Sequence, residues 1–167
     1  QEPGFADQNA QDEARLLGEL MHAVMEEIPW DVGISRQQWG TILKRQATLF
    51  KTREHGVMLE KNARKILTAF FESACWKETA SKKLIAREFP ASFVHQESLV
   101  VGRIDLIYED AGELVVADYK TKTSSALEHE AQGHAYLNAL KGLALRLGKK
   151  KLVFEVISLS DAKRWRL

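Results

Sequence analysis

Residues 101–123 contain two apolar runs, and three of the charged residues in this stretch have a spacing that could do chemistry. Asp105 interrupts one apolar run, and Asp118 and Lys120 lie at the end of the next. Residues 109–112, with the sequence EDAG, join the two runs and are few enough for a β-hairpin. A turn centred in this segment places Asp105 directly opposite Asp118.

Two carboxylates in that position need a cation between them. Directly paired residues on one face of a hairpin have Cβ atoms about 4.5–5.5 Å apart, and like charges held so close are destabilising unless they are neutralised. Mg²⁺ prefers oxygen ligands and would bridge Asp105 and Asp118. Lys120 shares their face because side chains two residues apart in a strand point the same way. The alternative is a rim of ion pairs on a half-exposed sheet.

The elements that must position these residues follow from hydrophobic periodicity. Apolar residues at helical spacing come first, and runs rich in β-branched residues follow. Helices are predicted at 12–28, 37–50, 56–76 and 126–147, and strands at 83–89, 98–108, 113–120, 151–159 and 163–167. The sequence therefore predicts one mixed α/β domain.

Composition limits the possible functions. The chain of 167 residues is 45% hydrophobic, which suits one domain over 1–167, and its net charge of +1 gives no global attraction to nucleic acid or membrane. The single cysteine, Cys75, excludes an intrachain disulfide and a multi-cysteine metal site. No apolar run approaches the ~18 residues of a membrane span. A cytoplasmic protein without membrane contact is expected, and the missing initiator methionine suggests a piece of a larger one.

The motif around the hairpin resembles a known family. Gly102 precedes Asp105 by three positions, and Asp118-Tyr119-Lys120-Thr121 ends the following apolar strand. This arrangement resembles the PD-(D/E)xK nuclease superfamily, in particular its RecB/AddA-like branch. Ile104 stands where the usual proline would precede the first acid, a departure that is ordinary in this branch.

Three flanking motifs extend the resemblance over nearly the whole chain in the right order. They are Gly18-x-x-x-His22 on the first helix, Arg87-Glu88-Phe89-Pro90 before the hairpin, and Gln132-x-x-x-Tyr136 on the helix after it. Each motif alone is weakly specific, whereas the ordered set is strong. The resemblance implies a restriction-endonuclease-like core, with a central mixed β-sheet flanked by helices and preceded by N-terminal helices.

The resemblance also implies the active-site roles. His22, Asp105, Asp118 and the carbonyl of Tyr119 would hold one or two Mg²⁺ or Mn²⁺ ions. Lys120 would orient the attacking water or stabilise charge on the phosphate, so Asp105, Asp118 and Lys120 are the catalytic candidates. A surface histidine is the alternative for His22.

The remaining candidates lie around that centre. Gln132 and Tyr136, one helical turn apart, would hold a phosphate or a base edge, and the alternative is a half-buried rim contact. Thr121 and Lys122 would contact phosphate, although a solvated loop is an equal alternative. Glu88 would be a supporting acid behind the metal ligands or a partner of Arg87.

The expected activity is that of a magnesium-dependent deoxyribonuclease, an exonuclease in DNA end processing and recombinational repair. The expected partners are DNA, the helicase domains of a parent chain, and a second, AddB/RecC-like subunit. The lone Cys75 predicts that no iron-sulfur cluster is present. The alternatives are a catalytically silent nuclease fold that binds DNA or another protein of the complex, and a freestanding nuclease of the RecB family.

Overall fold

The computed structural model describes residues 5–49, 53–95, 98–123, 126–149 and 151–167. Within these ranges, no helix is long and apolar enough to cross a membrane. In the described residues, four helices precede a three-stranded meander, and a helix and two strands follow it. The elements are α1 (Phe5–Glu27), α2 (Arg36–Ala47), α3 (Arg53–Glu72), α4 (Ala74–Ala80), β1 (Lys83–His95), β2 (Ser98–Asp110), β3 (Glu113–Lys120), a 3₁₀ turn (Ala126–His129), α5 (Glu130–Arg146), β4 (Leu152–Ser158) and β5 (Lys163–Arg166).

The described strands form one mixed sheet in the order β1-β2-β3-β4-β5. Strands β3 and β4 are parallel, joined by a crossover through α5, and the other neighbours are antiparallel. Ala111 and Gly112 have φ angles of 49° and 84°, the left-handed values that a two-residue type I′ turn requires. The mixed α/β fold, with a central mixed sheet flanked by helices, is as predicted.

Both faces of the sheet are covered. Along β3, Val115, Ala117 and Tyr119 pack with the apolar residues of α1 to α4, whereas Leu114 and Val116 pack with those of α5. Alternate residues of a strand point to opposite faces, so a strand buried on both sides reads as a continuous apolar run. Burying a charge in the middle of such a strand is costly. In β3, Asp118 and Lys120 accordingly lie at the end of the strand.

The region predicted as one helix over 56–76 is two helices. Helix α3 ends at Glu72, and Ser73 caps the N-terminus of α4 by accepting a hydrogen bond from the Trp76 N–H at 3.2 Å. Apolar spacing continues through the break because both helices pack against the same core. The periodicity therefore concealed the boundary.

Strand β1 is longer than predicted and continues through Pro90 to His95. Proline lacks the N–H that a central strand needs, but β1 lies at the edge of the sheet, where proline is tolerated. Strand β2 pairs with β1 along its length but with β3 only from Leu106 to Asp110. Strands β2 and β3 therefore separate beyond the pair Leu106–Ala117. This end of the hairpin, where Asp105 and Asp118 lie, is called the fork.

Candidate active site

The fork brings together the charged residues of the hairpin. The ladder between β2 and β3 ends at the pair Leu106–Ala117, in the register that the sequence predicted. Asp105 in β2 and Asp118 in β3 are the next residues beyond that end. The Tyr119 N–H donates a hydrogen bond to Asp105 Oδ2 at 2.7 Å. Asp105, Asp118 and the residues after them therefore form one polar cluster where the sheet opens.

Asp118 is a buried carboxylate with incomplete compensation. Its side chain is only 4% exposed, and its Oδ2 lies 2.6 Å from Lys120 Nζ. At this distance the ammonium of Lys120 pairs directly with this oxygen. Burial, and then the charge of Asp105, raises the pKa of Asp118 above its ordinary range, although Lys120 acts in the opposite direction.

His22 approaches the cluster from α1. Its Nδ1 lies 3.5 Å from Asp105 Oδ2, and the hydrogen bond with Asp105 raises the pKa of the imidazole although burial opposes this. One turn earlier, a Cβ added to Gly18 would lie 3.6 Å from Thr121 Oγ1, an ordinary contact distance. The N-terminal helix thus lies directly against the segment that follows Lys120.

Gln132 and Tyr136 reach the cluster from α5. Gln132 Nε2 donates to Asp118 Oδ1 at 2.9 Å and to the Tyr136 hydroxyl at 3.0 Å. The Tyr136 hydroxyl in turn donates to the carbonyl of Arg103 in β2 at 3.0 Å. The pair therefore connects α5 to both strands of the fork and fixes the orientation of the Asp118 carboxylate.

A glycine lets α5 lie close enough for these contacts. A Cβ on Gly133 would stand 2.4 Å from Cδ1 of Phe154, a buried ring in β4. Such a distance is far below van der Waals contact, and the ring is held in the core. Gly133 thus permits the close approach of α5 that brings Gln132 to Asp118.

Glu88 and Arg103 form an outer part of the site. Glu88 has a φ angle of 47°, a left-handed value that is rare for a residue with a side chain. Its Oε2 lies 3.6 Å from Arg103 Nε, and Arg103 Nη2 lies 3.8 Å from Glu26 Oε1. Burial, and then the charge of Asp105, raises the pKa of Glu88.

Arg103 was missed by the sequence reasoning. Its position two residues before Asp105 in one strand was an available signal, because such residues share a face in a regular strand. Arg87, in contrast, points away from Glu88. It donates to the carbonyl of Ile28 at the C-terminus of α1 and lies over the ring of Trp30.

Thr121 and Lys122 do not join the carboxylates. The Thr121 carbonyl accepts a hydrogen bond from the Ser160 N–H at 2.9 Å, which ties this segment to the turn after β4. Lys122 is exposed to solvent. Their predicted phosphate contacts stay predictions.

The chemistry of the cluster fits a hard divalent cation, but the spacing of the side chains is not that of a formed metal centre. Two carboxylates and an imidazole are suitable ligands, and burial and the charge of Asp105 both raise the pKa of Asp118. Among the described residues, however, no three His, Cys, Asp or Glu side chains converge at ligand spacing. His22 lies against Asp105, and Lys120 against Asp118. These side chains must reorient to hold an ion together.

Comparison with known proteins agrees with this geometry. The family model of the PD-(D/E)XK nuclease superfamily matches residues 3–165. An ATP-dependent helicase/nuclease protein of Listeria innocua serovar 6a, the A component of its complex, is 27% identical over 136 residues, which are 71% of this chain and 10% of that protein. The chain thus spans about a tenth of the length of this relative. Because the family model matches nearly the full length of the chain, the chain belongs to the PD-(D/E)XK nuclease superfamily. Members of this superfamily use divalent metal ions.

Proposed function

We propose that the chain is a nuclease domain that hydrolyses DNA phosphodiester bonds with Mg²⁺ or Mn²⁺, as part of a helicase-nuclease that processes DNA ends for recombinational repair. The observation that carries the proposal is the fork, where Lys120 Nζ lies 2.6 Å from the buried Asp118 and the Tyr119 N–H binds Asp105. The superfamily match and the likeness to the Listeria helicase/nuclease protein support the wider context.

The metal ligands would be His22, Asp105, Asp118 and the Tyr119 carbonyl. The bound ion would supply Lewis acidity toward the phosphate and lower the pKa of a bound water. A cation near Asp118 would also relieve the repulsion that, with burial, raises the pKa of this carboxylate.

Lys120 would act on the substrate rather than on the metal. Its side chain is 27% exposed, so the ammonium can turn from Asp118 toward a phosphate oxygen or the attacking water. A fixed positive charge beside developing negative charge lowers the barrier most effectively in a partly desolvated site. Glu88 would support the site through its ion pair with Arg103.

The roles of Gln132 and Tyr136 follow from their hydrogen bonds. Their contacts with Asp118 and with the backbone of β2 favour a positioning role for the pair. Thr121 and Lys122, at the exit of β3, would contact the phosphate backbone. With a net charge of +1, binding must come from a few local groups, so the isolated domain would bind DNA weakly and lose affinity steeply with salt.

The proposed setting is a larger cytoplasmic protein in which helicase domains feed DNA to this exonuclease domain beside an AddB/RecC-like subunit. The lone cysteine leaves no cluster ligands in this chain, so no iron-sulfur cluster is proposed. A freestanding nuclease and a silent DNA-binding module are the alternatives. The complete set of Asp105, Asp118 and Lys120 favours an active enzyme over a silent one.

The test is cleavage of end-labelled linear DNA, single-stranded and duplex. We expect products with Mg²⁺ or Mn²⁺ and suppression by Ca²⁺, because Ca²⁺ takes about 6–8 longer oxygen contacts and loses the tight alignment of water and phosphate. Asp118→Ala should yield no products. Undiminished cleavage in excess chelator would contradict metal dependence, and metal-independent DNA binding without products would favour the silent module.

A further inference from the structure

A groove of about 450 Å³ lies outside the cluster of charged residues, between α1, α3 and the turn after β4. This volume is within the range of about 300–1,000 Å³ that is usual for small-molecule sites. Its apolar wall comes from Leu17 and Ile66, which are partly buried against the core. The lining residues are Leu17, Asn62, Lys65, Ile66, Ala69 and Ser160.

The groove lies beside the segment that follows Lys120. The N–H of Ser160 donates to the carbonyl of Thr121 at 2.9 Å, and the N–H of Leu159 donates to the carbonyl of Lys120 at 2.9 Å. On the other side, Leu17 is adjacent to Gly18, the residue that lies against Thr121. The groove therefore borders the segment that leaves β3.

Polar groups of the groove lack protein partners. Asn62 and Lys65 are exposed, and neither side chain makes a hydrogen bond or ion pair within the described part of the chain. The Ser160 hydroxyl is buried without a hydrogen-bond partner in the described part of the chain, and Ser160 lines the groove. Arg64, the neighbour of Lys65, is instead occupied by Glu60.

We propose that this groove is a nucleoside subsite for the DNA strand that is being cut. The base lies against Leu17 and Ile66, Lys65 binds a neighbouring phosphate, and Asn62 and Ser160 hydrogen-bond the base edge. An apolar surface for the base beside a cation for the backbone is the usual combination in single-strand binding. This inference rests on the proposed nuclease function and adds the position at which the enzyme senses a base.

The experiment is abasic scanning of a short single-stranded oligonucleotide. A single tetrahydrofuran abasic residue is moved through the sequence, and the cleavage rate at each phosphate is measured with Mg²⁺ on end-labelled DNA. We expect one position, at a fixed distance from the cut, where removal of the base slows cleavage roughly tenfold, the size expected for one well-packed base.

Filling the groove provides the matched comparison. Ala69→Phe places a ring in the groove, whereas Ala74→Phe adds the same ring at an exposed alanine of α4 outside it. We expect Ala69→Phe to cleave intact DNA about tenfold more slowly and to lose the sensitivity to the abasic residue. Ala74→Phe should retain the wild-type profile. Circular dichroism and thermal unfolding of both variants show whether each is folded.

A second measurement addresses the phosphate contact without cleavage. In chelator, fluorescence anisotropy of a labelled oligonucleotide gives the dependence of the binding constant on salt. Lys65→Ala should lower this slope by about one contact, and Lys61→Ala, an exposed lysine one turn earlier in α3, should leave it unchanged. Equal slopes for both variants would overturn the contact of Lys65.

The outcomes separate this inference from the proposed function. A wild-type protein that cleaves intact DNA but shows no sensitive position overturns the subsite and leaves the nuclease function standing. An abasic profile that persists in folded Ala69→Phe has the same meaning, because the base is then sensed outside the groove. Failure of the wild type to cleave any DNA overturns both proposals.

Discussion

The two ends of the β2–β3 hairpin carry acidic groups under opposite conditions. At the turn, Asp110 binds Lys82 at 2.7 Å and Arg166 at 2.6 Å, and these cations, Lys82 before Arg166, hold its pKa below the ordinary range. At the fork, burial and the nearby Asp105 raise the pKa of Asp118. One hairpin thus contains a fully paired carboxylate and an underpaired one.

The difference separates a carboxylate that stabilises the fold from one that is suited to chemistry. Glu155, another buried acid of the sheet, accepts hydrogen bonds from the Tyr108 hydroxyl and Arg166, as expected for a charge whose role is structural. Asp118 is paired with one cation, Lys120, and burial and the charge of Asp105 still raise its pKa. A buried carboxylate that the protein incompletely neutralises is suited to receive a cation from solution.

The largest expected effect is on the cleavage rate, when the acid at the fork is neutralised and the acid at the turn is neutralised for comparison. Asp118→Asn should lower the cleavage rate by about a thousandfold or more, because the several kcal/mol that a metal ion supplies to the transition state are lost. Asp110→Asn should leave the rate near that of the wild type. Initial rates on labelled DNA at saturating Mg²⁺ decide this, and equal loss in both variants would remove the functional distinction between the two ends.

Removal of the lysine at the fork should have the next largest effect. Lys120→Ala should lower turnover by about 10²–10³-fold at every metal concentration, because a fixed charge that stabilises the transition state is lost. Metal affinity should persist or rise, since a neighbouring positive charge is gone. Calorimetric titration beside the nuclease assay tests the two effects, and restoration of the rate by excess metal would assign Lys120 a role in metal binding instead.

A smaller effect is expected at His22. His22→Ala should lower metal affinity and activity together by about 10–100-fold, with raised Mg²⁺ restoring part of the rate, because a missing ligand is a defect in binding. The same calorimetric titration measures the affinity. Full activity with unchanged affinity would remove the histidine from the site and weaken the assignment to the RecB/AddA-like branch.

The smallest effect concerns stability and its dependence on pH. Asp110→Asn should lower the free energy of unfolding by roughly 1 kcal/mol at neutral pH, because paired charges near the surface contribute about this much. The stabilisation from a depressed carboxyl pKa is fully present above its ordinary value of 3.8 and is lost as pH falls through the lowered folded value. Urea unfolding from pH 7 to pH 3 should therefore show the wild type and the variant converging in acid.

Nuclease activity does not report on this difference in the free energy of unfolding. The control is therefore a second variant in the same urea unfolding assay. Ser92→Ala, at an exposed position in β1, should leave the pH profile unchanged. A constant gap between wild type and Asp110→Asn down to pH 3 would show that the ion pairs at the turn do not stabilise the fold through the charge of this carboxylate.

Local patterns predicted the hairpin well. A short segment containing Ala111 and Gly112 restricts the turn, and once the turn is fixed, the alternation of the strands fixes which residues face each other. Asp105 and Asp118 could therefore be brought to one place from spacing alone. The ladder has that register up to the fork.

Contacts between distant elements could not be derived in the same way. The hydrogen bond from Gln132 to Asp118 depends on how closely α5 packs on the sheet, which Gly133 and Phe154 decide together. The spacing of residues along a helix does not predict which strand residue a glycine of that helix will contact. The hydrogen bond from the Tyr136 hydroxyl to the Arg103 carbonyl could not be predicted from the sequence for the same reason.

The hydrogen bond from the Tyr119 N–H to Asp105 gives the fork a built-in spectroscopic probe. This amide faces β2 beyond the end of the ladder and binds a side-chain carboxylate rather than a strand carbonyl. Its proton resonance should therefore respond to whatever changes the charge density on Asp105. Occupancy of the proposed metal site should then be measurable from this one backbone signal, without turnover.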